Sequence, residues 1–212
     1  MNQRLVRVLK IPVFLLCFWP LTKLLLEAFS LAGMSLGANP IEELLHRCGL
    51  WGLNFLLITL AVTPVSRLTG QIALIRFRRM FGLFAFFYVC LHFLIYAVLD
   101  QSFDLPFIVE DILERPYITL GIIALILLIP LAVTSTKGMM RRLGRKWTQL
   151  HKLVYLIAIL GTWHFYWQVK KDLTEPLIYA TILFLLLAYR VFAHWQKKKR
   201  AKQQKNSITV ST

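Results

Sequence analysis

Residues 147–164 read W-T-Q-L-H-K-L-V-Y-L-I-A-I-L-G-T-W-H, an apolar run that places His151 and His164 thirteen residues apart. In one helix, with a rise of about 1.5 Å per residue, this spacing separates the two imidazoles by about 20 Å along the axis. That distance is most of the roughly 30 Å hydrocarbon core of a membrane, so we expect one histidine near each side. On a straight helix the two side chains would point about 140° apart. Both histidines can therefore serve sites on the same face only if the helix bends, and Gly161 is the expected position of that bend.

The composition is that of an integral membrane protein. Hydrophobic residues make up 58% of the 212 residues and charged residues 17%, and apolar runs of about 20 residues recur along the chain. Because such runs recur, a simple signal peptide is excluded and no separate soluble domain is expected. The net charge of +15 falls in short basic blocks beside apolar runs, which indicates membrane topology rather than nucleic-acid binding.

The hydropathy pattern predicts an all-α fold, an integral membrane bundle of six transmembrane helices. The predicted spans are residues 8–29, 50–65, 80–99, 117–133, 147–169 and 177–195. They form one domain over residues 1–195, followed by a basic, solvated tail over residues 196–212. The N-terminus, the second and fourth loops and the tail contain most of the 25 Lys and Arg residues and no acid, whereas the opposite loops contain nine of the ten acids. This asymmetry predicts that both termini are cytoplasmic.

Topology places His92 and His164 at a similar depth. The third span enters from the cytoplasm near Met80, so His92 lies twelve residues into the membrane, or about 18 Å, close to the level of His164. A single intramembrane histidine is as often a satisfied interior residue as a ligand, but two facing histidines can hold one haem iron from both sides. We therefore predict that His92 and His164 bind a haem. The sequence has no C-x-x-C-H motif, so this haem is expected to be non-covalent.

At the cytoplasmic level of the predicted bundle, His151 lacks an obvious second histidine. His151 lies near the cytoplasmic interface, where the third span carries Arg78 and Arg79 instead of a second histidine. His194 has a suitable depth to join His151, but its place beside a lysine run also suits an interfacial residue. His46 is expected to be interfacial at the outer side.

Arginines of the inner loops form a second candidate site: Arg76, Arg78, Arg79, Arg141, Arg142 and Arg145. As bidentate donors, these side chains suit haem propionates or a flavin phosphate. Membrane topology and anionic lipid account for the same pattern, so both interpretations stay open.

Several motifs resemble a known family. The block T-S-T-K-G-M-M-R-R-L-G-R-K-W-T-Q-L-H-K-L-V-Y at residues 134–155, followed by His164 and preceded by L-H-F-L-I-Y around His92, is similar to the ferric-reductase-like transmembrane superfamily, which includes NADPH oxidases and ferric reductases. Over residues 1–195 the chain resembles more closely the haem-binding membrane subunits of bacterial protein-methionine-sulfoxide reductases. The motifs G-A-N-P-I-E-E-L-L-H, L-I-R-F-R-R-M-F-G-L and R-P-Y-I-T-L-G-I add to this resemblance.

The resemblance implies a multi-pass protein of the bacterial cell inner membrane with a ferric-reductase-like haem-binding core. It implies one or two b haems bound by His92, His164 and His151, with FMN at the basic inner loops near Arg78 and Arg79. It further implies that electrons pass from the quinone pool or a cytoplasmic flavin reductase to a periplasmic molybdopterin enzyme that reduces methionine sulfoxide in proteins. The arginines at the level of the inner ligand depart from the oxidase pattern, so a bis-histidine inner haem does not follow.

The electron donor and the function class leave alternatives open. Residues 196–212 have no G-x-G-x-x-G motif and are too few for a dinucleotide fold, so the donor is expected to be another molecule. The redox alternative is a stand-alone transmembrane ferric or cupric reductase. The non-redox alternative is a proton-coupled transporter that uses the histidines with Lys23 and Glu27, which lie one helical turn apart and otherwise form a self-neutralising pair.

Overall fold

The computed structural model describes residues 3–31, 35–169 and 172–210, and within these ranges every regular element is a helix. The helices are α1 (Gln3–Leu16), α2 (Trp19–Ala28), α3 (Pro40–Leu68), α4 (Arg78–Leu94), α5 (Leu105–Glu114), α6 (Pro116–Val133), α7 (Lys137–Leu143), α8 (Arg145–Leu150), α9 (Leu153–Gln168) and α10 (Thr174–Val210). A 3-10 helix, Ile72–Phe77, leads into α4, and a π-helical segment, Ile95–Asp100, continues it. This architecture confirms the predicted fold class.

Five stretches of the described chain are long and apolar enough to cross a membrane: Val8–Ala28, Pro40–Leu68, Ile72–Asp100, Pro116–Val133 and Thr174–Arg200. They correspond to all the predicted spans except the fifth. The fifth predicted span is α9 with α8 before it, and α9 alone is 16 residues long, or about 24 Å.

The fifth span is not the single helix that the sequence predicted. The backbone turns at His151 and Lys152, between α8 and α9, where the Lys152 amide donates to the Gln149 carbonyl at 3.1 Å. The Trp147 carbonyl accepts from the His151 amide at 3.0 Å, and the ring nitrogen Nδ1 of His151 lies 3.1 Å from the same oxygen. The His151 amide keeps its helical bond, whereas the Lys152 and Tyr155 amides each donate to a carbonyl three residues back, so the backbone tightens into a turn between the two helices. Gly161, the predicted position of a bend, lies inside α9.

The first span is also broken, between α1 and α2 at Cys17 and Phe18. Tyr88 of α4, which is 0% exposed, bridges the break. Its hydroxyl donates to the Cys17 carbonyl at 2.9 Å and accepts from the Leu21 amide at 3.1 Å. In a continuous helix these two backbone groups would bond to each other, so the hydroxyl is inserted into the ladder. The insertion ties the N-terminal span to the middle of the bundle.

α3 packs against α4, α9 and α10 and carries much of the core. Asn39 caps it with Glu42, and Pro40 occupies the first turn, where a missing N–H is harmless. This cap explains why α3 begins at Pro40, before the predicted start of the second span at Leu50. The buried core residues of α3, α4, α6 and α9 include Leu53, Phe55, Leu56, Leu57, Leu60, Phe84, Ala85, Tyr88, Ala124, Leu128, Leu131, Val154, Ile157, Ala158 and Phe165.

The bundle has an acidic end and a basic end. The acidic end is where α3, α6 and α10 begin, and it carries Glu42, Glu43, Asp100, Asp104, Glu110, Asp111, Glu114, Asp172 and Glu175. At the basic end, Lys10 lies within electrostatic reach of Arg76, Arg79 and Lys137. α10 passes residue 195 without a break and continues to Val210 in the predicted tail, whose last two residues lie outside the described ranges.

Glu27 of the first span is paired mainly with Arg47 of α3. Its side chain is buried and bonded to Arg47, whose Nε also donates to Glu43 Oε1 at 2.6 Å. Lys23 Nζ lies 3.8 Å from Glu27 Oε1, so the predicted pair is present as the longer contact. The buried carboxylate of Glu27 is thus paired with a guanidinium, and the pair links the first span to α3.

Candidate functional site

The imidazole rings of His92 on α4 and His164 on α9 lie next to each other inside the bundle. Their centroids are 6.1 Å apart, and their planes make an angle of 77°. The sequence predicted that the two histidines share a depth, and the structure brings their side chains together.

Each ring is held through one nitrogen by a backbone carbonyl of a neighbouring helix. His92 Nδ1 lies 2.9 Å from the carbonyl oxygen of Leu45 on α3, and His164 Nδ1 lies 2.6 Å from that of Tyr117 on α6. A carbonyl oxygen can only accept, so Nδ1 carries the proton in both rings and Nε2 keeps its lone pair. In this tautomer a histidine can bind a metal through Nε2 while its other nitrogen fixes the ring.

A glycine lies beside each ring. A β-carbon built on Gly49 of α3 would lie 3.0 Å from His92 Nδ1, and one built on Gly121 of α6 would lie 3.1 Å from His164 Nδ1. Each ring therefore lies directly against the backbone of the helix that also supplies its carbonyl partner. The glycine follows that carbonyl by one turn of about 3.6 residues.

The two halves of the site repeat one arrangement. Corresponding positions lie 72 residues apart and are Leu45 and Tyr117, Gly49 and Gly121, and His92 and His164. The helix pair α3 and α4 is thus equivalent to the pair α6 and α9. The same offset relates Arg79 to His151, so the position on α4 that corresponds to the inner histidine holds an arginine.

A cavity of about 260 Å³ lies between the two histidine-bearing halves, and its size is close to the lower end of small-molecule sites. α3, α4, α6 and α9 line it mainly with apolar side chains, as is typical of a cofactor pocket. The polar lining residues besides His92 and His164 are His46, Tyr96, Asp100, Arg115, Tyr117 and Gln168. His46 Nε2 also lies 3.9 Å from Glu175 Oε2, which places it at the acidic end.

Arg115 supplies a positive charge at the acidic end of the cavity. Its Nε lies 3.0 Å from Asp111 Oδ1, and the Tyr96 hydroxyl donates to Asp111 Oδ2 at 3.1 Å. The Tyr117 side chain and the carboxylate of Asp111 raise the pKa of the Arg115 guanidinium, which is charged in any case. Arg115 is thus the cationic side chain at an end of the cavity that also carries Asp100 and Asp111.

His151 has a different environment from the other two histidines. Its ring stacks on Trp147 at a centroid distance of 3.9 Å, and its Nδ1 contacts the Trp147 carbonyl of its own chain segment. Its Nε2 is buried and has no hydrogen-bond partner among the described residues. His194, the partner that the sequence left open, is exposed on α10. His151 thus has a buried Nε2 close to the backbone of Leu131 and no facing histidine.

The side chains of Arg78 and Arg79 have different surroundings in the structure. Arg78 is half-buried and lies within electrostatic reach of Tyr155 and Arg190, whereas Arg79 is exposed with Nη1 3.8 Å from Met140 Sδ. The remaining arginines of the predicted set are exposed at the basic end: Arg76, Arg141, Arg142 and Arg145.

Sequence reasoning missed the two glycines, the two carbonyls and Arg190. The glycines had a signal, because Gly49 and Gly121 each precede a predicted ligand by 43 residues. Arg190 was visible as an arginine within an apolar run, which is a functional-site signal in membrane proteins. The carbonyls of Leu45 and Tyr117 had no signal, since every residue has one.

Comparisons with known proteins agree with this architecture. Residues 48–162 match the family model described as Ferric reductase like transmembrane component. A "Protein-methionine-sulfoxide reductase heme-binding subunit MsrQ" of Xanthomonas euvesicatoria pv. vesicatoria is 55% identical over 163 residues, which cover 77% of this chain and 73% of that protein. A protein of the same name from Rhodospirillum rubrum is 55% identical over 183 residues, which cover 86% of each chain.

No solved structure matches the chain significantly. The family match covers more than half of the chain, and the similar proteins align over most of both lengths. The resemblance seen in the sequence motifs is thereby confirmed. The chain belongs to the ferric reductase-like transmembrane family and, within it, to the MsrQ family.

Proposed function

We propose that the chain binds haem b between His92 and His164 and acts as the membrane electron-transfer subunit of a protein-methionine-sulfoxide reductase. The observation that carries this proposal is the spacing of the two rings. Two imidazoles that held one metal ion from opposite sides, each at a distance of about 2.0–2.1 Å, as is typical of zinc–histidine bonds, would have their ring centres roughly 6 Å apart. The observed 6.1 Å is close to this value.

The residues around the cavity suit that role. The carbonyls of Leu45 and Tyr117 hold the Nδ1 protons, which orients both rings and makes each Nε2 a better donor. The apolar walls keep water away, and Arg115 offers a charge to the carboxylates of the macrocycle at the acidic end. When bound there, haem supplies a one-electron redox centre.

A second redox group at the basic end would rest on His151 and the arginines. The buried, unpartnered Nε2 of His151 supports a ligand there, but a second haem would have only this one histidine, because its counterpart on α4 is Arg79. Arg78 and Arg79 lie at the same end and suit the phosphate of FMN, to which arginine binds as a bidentate donor. We place FMN near these two arginines.

The direction of electron flow follows from topology. The positive-inside rule assigns the basic end, with both termini, to the cytoplasm and the acidic end to the periplasm of a bacterial inner membrane. Electrons then enter from the quinone pool or a cytoplasmic flavin reductase. They leave near His46 and Arg115 to a methionine-sulfoxide reductase, whose activity appears in the name of the similar proteins. We take this partner to be the periplasmic molybdopterin enzyme that the sequence resemblance implies.

The absorption spectrum of the purified protein, with haem quantified per chain, tests this function. A reduced b-type spectrum and dependence of sulfoxide reduction on both subunits are the expected results. A colourless preparation that moves protons or ions would favour the transporter. Reduction of a soluble ferric chelate without the partner enzyme would favour the stand-alone reductase.

A further inference from the structure

We infer that Gly49 and Gly121 set the orientation of the two histidine rings and thereby the electronic state of the iron between them. This inference rests on the proposed haem site. It assigns a role to two residues that bind nothing themselves and act by positioning His92 and His164.

Two points on one helix define the plane of each ring. For His92, the Leu45 carbonyl on α3 anchors Nδ1 at 2.9 Å, and Gly49, one turn further, leaves space for Nδ1 and Cε1 of the ring against the backbone. For His164, the Tyr117 carbonyl and Gly121 of α6 do the same. Because α3 and α6 each fix one ring, the angle between the rings follows from the angle between two rigid supports.

The resulting angle is 77°, close to perpendicular. Axial imidazole planes act on the iron d orbitals through their π-systems, so their mutual angle affects the splitting of those orbitals. Near-perpendicular planes give ferric low-spin haem a highly anisotropic paramagnetic resonance signal with one dominant low-field feature, whereas parallel planes give a resolved rhombic signal. With the ring planes at 77°, we expect the first kind of spectrum for a haem bound by His92 and His164.

A methyl group at either glycine would displace its ring. At Gly49 the added carbon would lie 3.0 Å from Nδ1 and 3.1 Å from Cε1 of His92, and at Gly121 the corresponding distances to His164 are 3.1 and 3.2 Å. Relief of this crowding requires the ring to move by a few tenths of an ångström, which turns it about its anchor and weakens the bond to the carbonyl. Gly49→Ala and Gly121→Ala are thus substitutions aimed at ring orientation.

Two other glycines provide matched controls. At Gly52, three residues further along α3, an added carbon would lie 2.8 Å from Val89 Cγ2. Both residues line the cavity, so Gly52→Ala tests crowding there whose nearest neighbours belong to Val89 and Tyr88 and not to a histidine ring. At Gly82 of α4, an added carbon would lie 3.7 Å from Thr59 Cγ2, which is an ordinary contact. Gly82→Ala therefore measures the effect of the substitution alone.

The experiment is electron paramagnetic resonance and redox titration of the ferric protein and its four alanine variants. We expect the parent and Gly82→Ala to share one dominant low-field feature, and Gly49→Ala and Gly121→Ala to shift its position and the midpoint potential. Loss of haem in these two variants, with haem retained in Gly52→Ala, supports the same role. The two glycines contact different rings, so either variant tests the inference by itself if the other does not accumulate.

Two results would overturn the inference while the haem site stands. One is an unchanged spectrum and potential in both Gly49→Ala and Gly121→Ala; the other is an equal shift in Gly52→Ala, which would assign the effect to helix spacing. A parent protein without haem would instead refute the proposed function itself.

Discussion

Arg190 on α10 donates a hydrogen bond to the carbonyl oxygen of Leu60 on α3, a group that Pro64 leaves without its helical partner. Proline has no N–H, so the carbonyl four residues before it is free within a helix. The same guanidinium donates to the Tyr155 hydroxyl on α9 at 2.7 Å. One charged side chain therefore completes the hydrogen bonding of α3 and joins three helices of the bundle.

This relationship predicts coupling between Arg190 and Pro64. We expect Arg190→Met to lower the free energy of unfolding by about 1.5–3 kcal/mol, the usual contribution of a hydrogen bond to a charged group. In a Pro64→Ala background the new N–H can bond to the Leu60 carbonyl, so Arg190→Met should cost less there by at least about 0.5 kcal/mol. Unfolding of the four proteins in detergent measures the coupling.

Tyr155→Phe is the control for this cycle, because it removes the other hydrogen bond of Arg190 and leaves the Leu60 carbonyl bonded. Its effect should be the same with and without Pro64→Ala. Strict additivity of Arg190→Met and Pro64→Ala would mean that the bond to Leu60 contributes nothing to stability.

The environment of His151 predicts a separable role at the basic end. Because His151 precedes α9 and lies thirteen residues before His164, at the basic end, His151→Ala should leave the haem between His92 and His164 in place. It should change or remove a second, inner haem population. Haem per chain and the reduced absorption spectrum measure both effects, and an unchanged stoichiometry and spectrum would show that His151 ligates no iron.

The separation of Arg78 and Arg79 predicts unequal effects on flavin. A charge-assisted phosphate contact contributes about 1.5–3 kcal/mol, so losing the half-buried Arg78 should weaken FMN binding by about one to two decades. Arg79 is exposed, so Arg79→Ala should weaken it less. Both variants should retain the haem between His92 and His164.

FMN content and the rate of haem reduction by reduced flavin check this prediction, with the exposed Arg76 exchanged for alanine as the control. If both quantities stay at the parental level in Arg78→Ala and in the double variant with Arg79→Ala, the arginines serve topology alone. Quinol would then be the favoured electron donor.

The fold and the histidine pair could be predicted because apolar length and charge asymmetry are properties of the sequence itself. Depth along a helix depends on residue count, so the sequence predicts that His92 and His164 lie at a similar depth. The bends were not predictable in the same way. The fifth span is interrupted by a tight backbone turn at His151 and Lys152, and Tyr88 bridges the break in the first span from another helix.

The parts of the site that were missed depend on backbone groups and on long-range packing. The carbonyls of Leu45 and Tyr117 become partners of the histidines only because α3 and α6 pass beside them. Arg78 and Arg79 are neighbours in sequence, yet the helical rotation of about 100° per residue directs them to different surroundings. Residue type alone could not distinguish the half-buried arginine from the exposed one.

The most direct test of a haem held between α4 and α9 is the haem content of His92→Ala and His164→Ala, compared with His46→Ala. All three histidines line the same cavity, but among the described residues only the first two have an Nδ1 bonded to a backbone carbonyl and the other's ring beside them at 6.1 Å. The structure predicts loss of most haem from each of the first two variants and full retention in the third. Full haem content in both His92→Ala and His164→Ala would contradict the assignment.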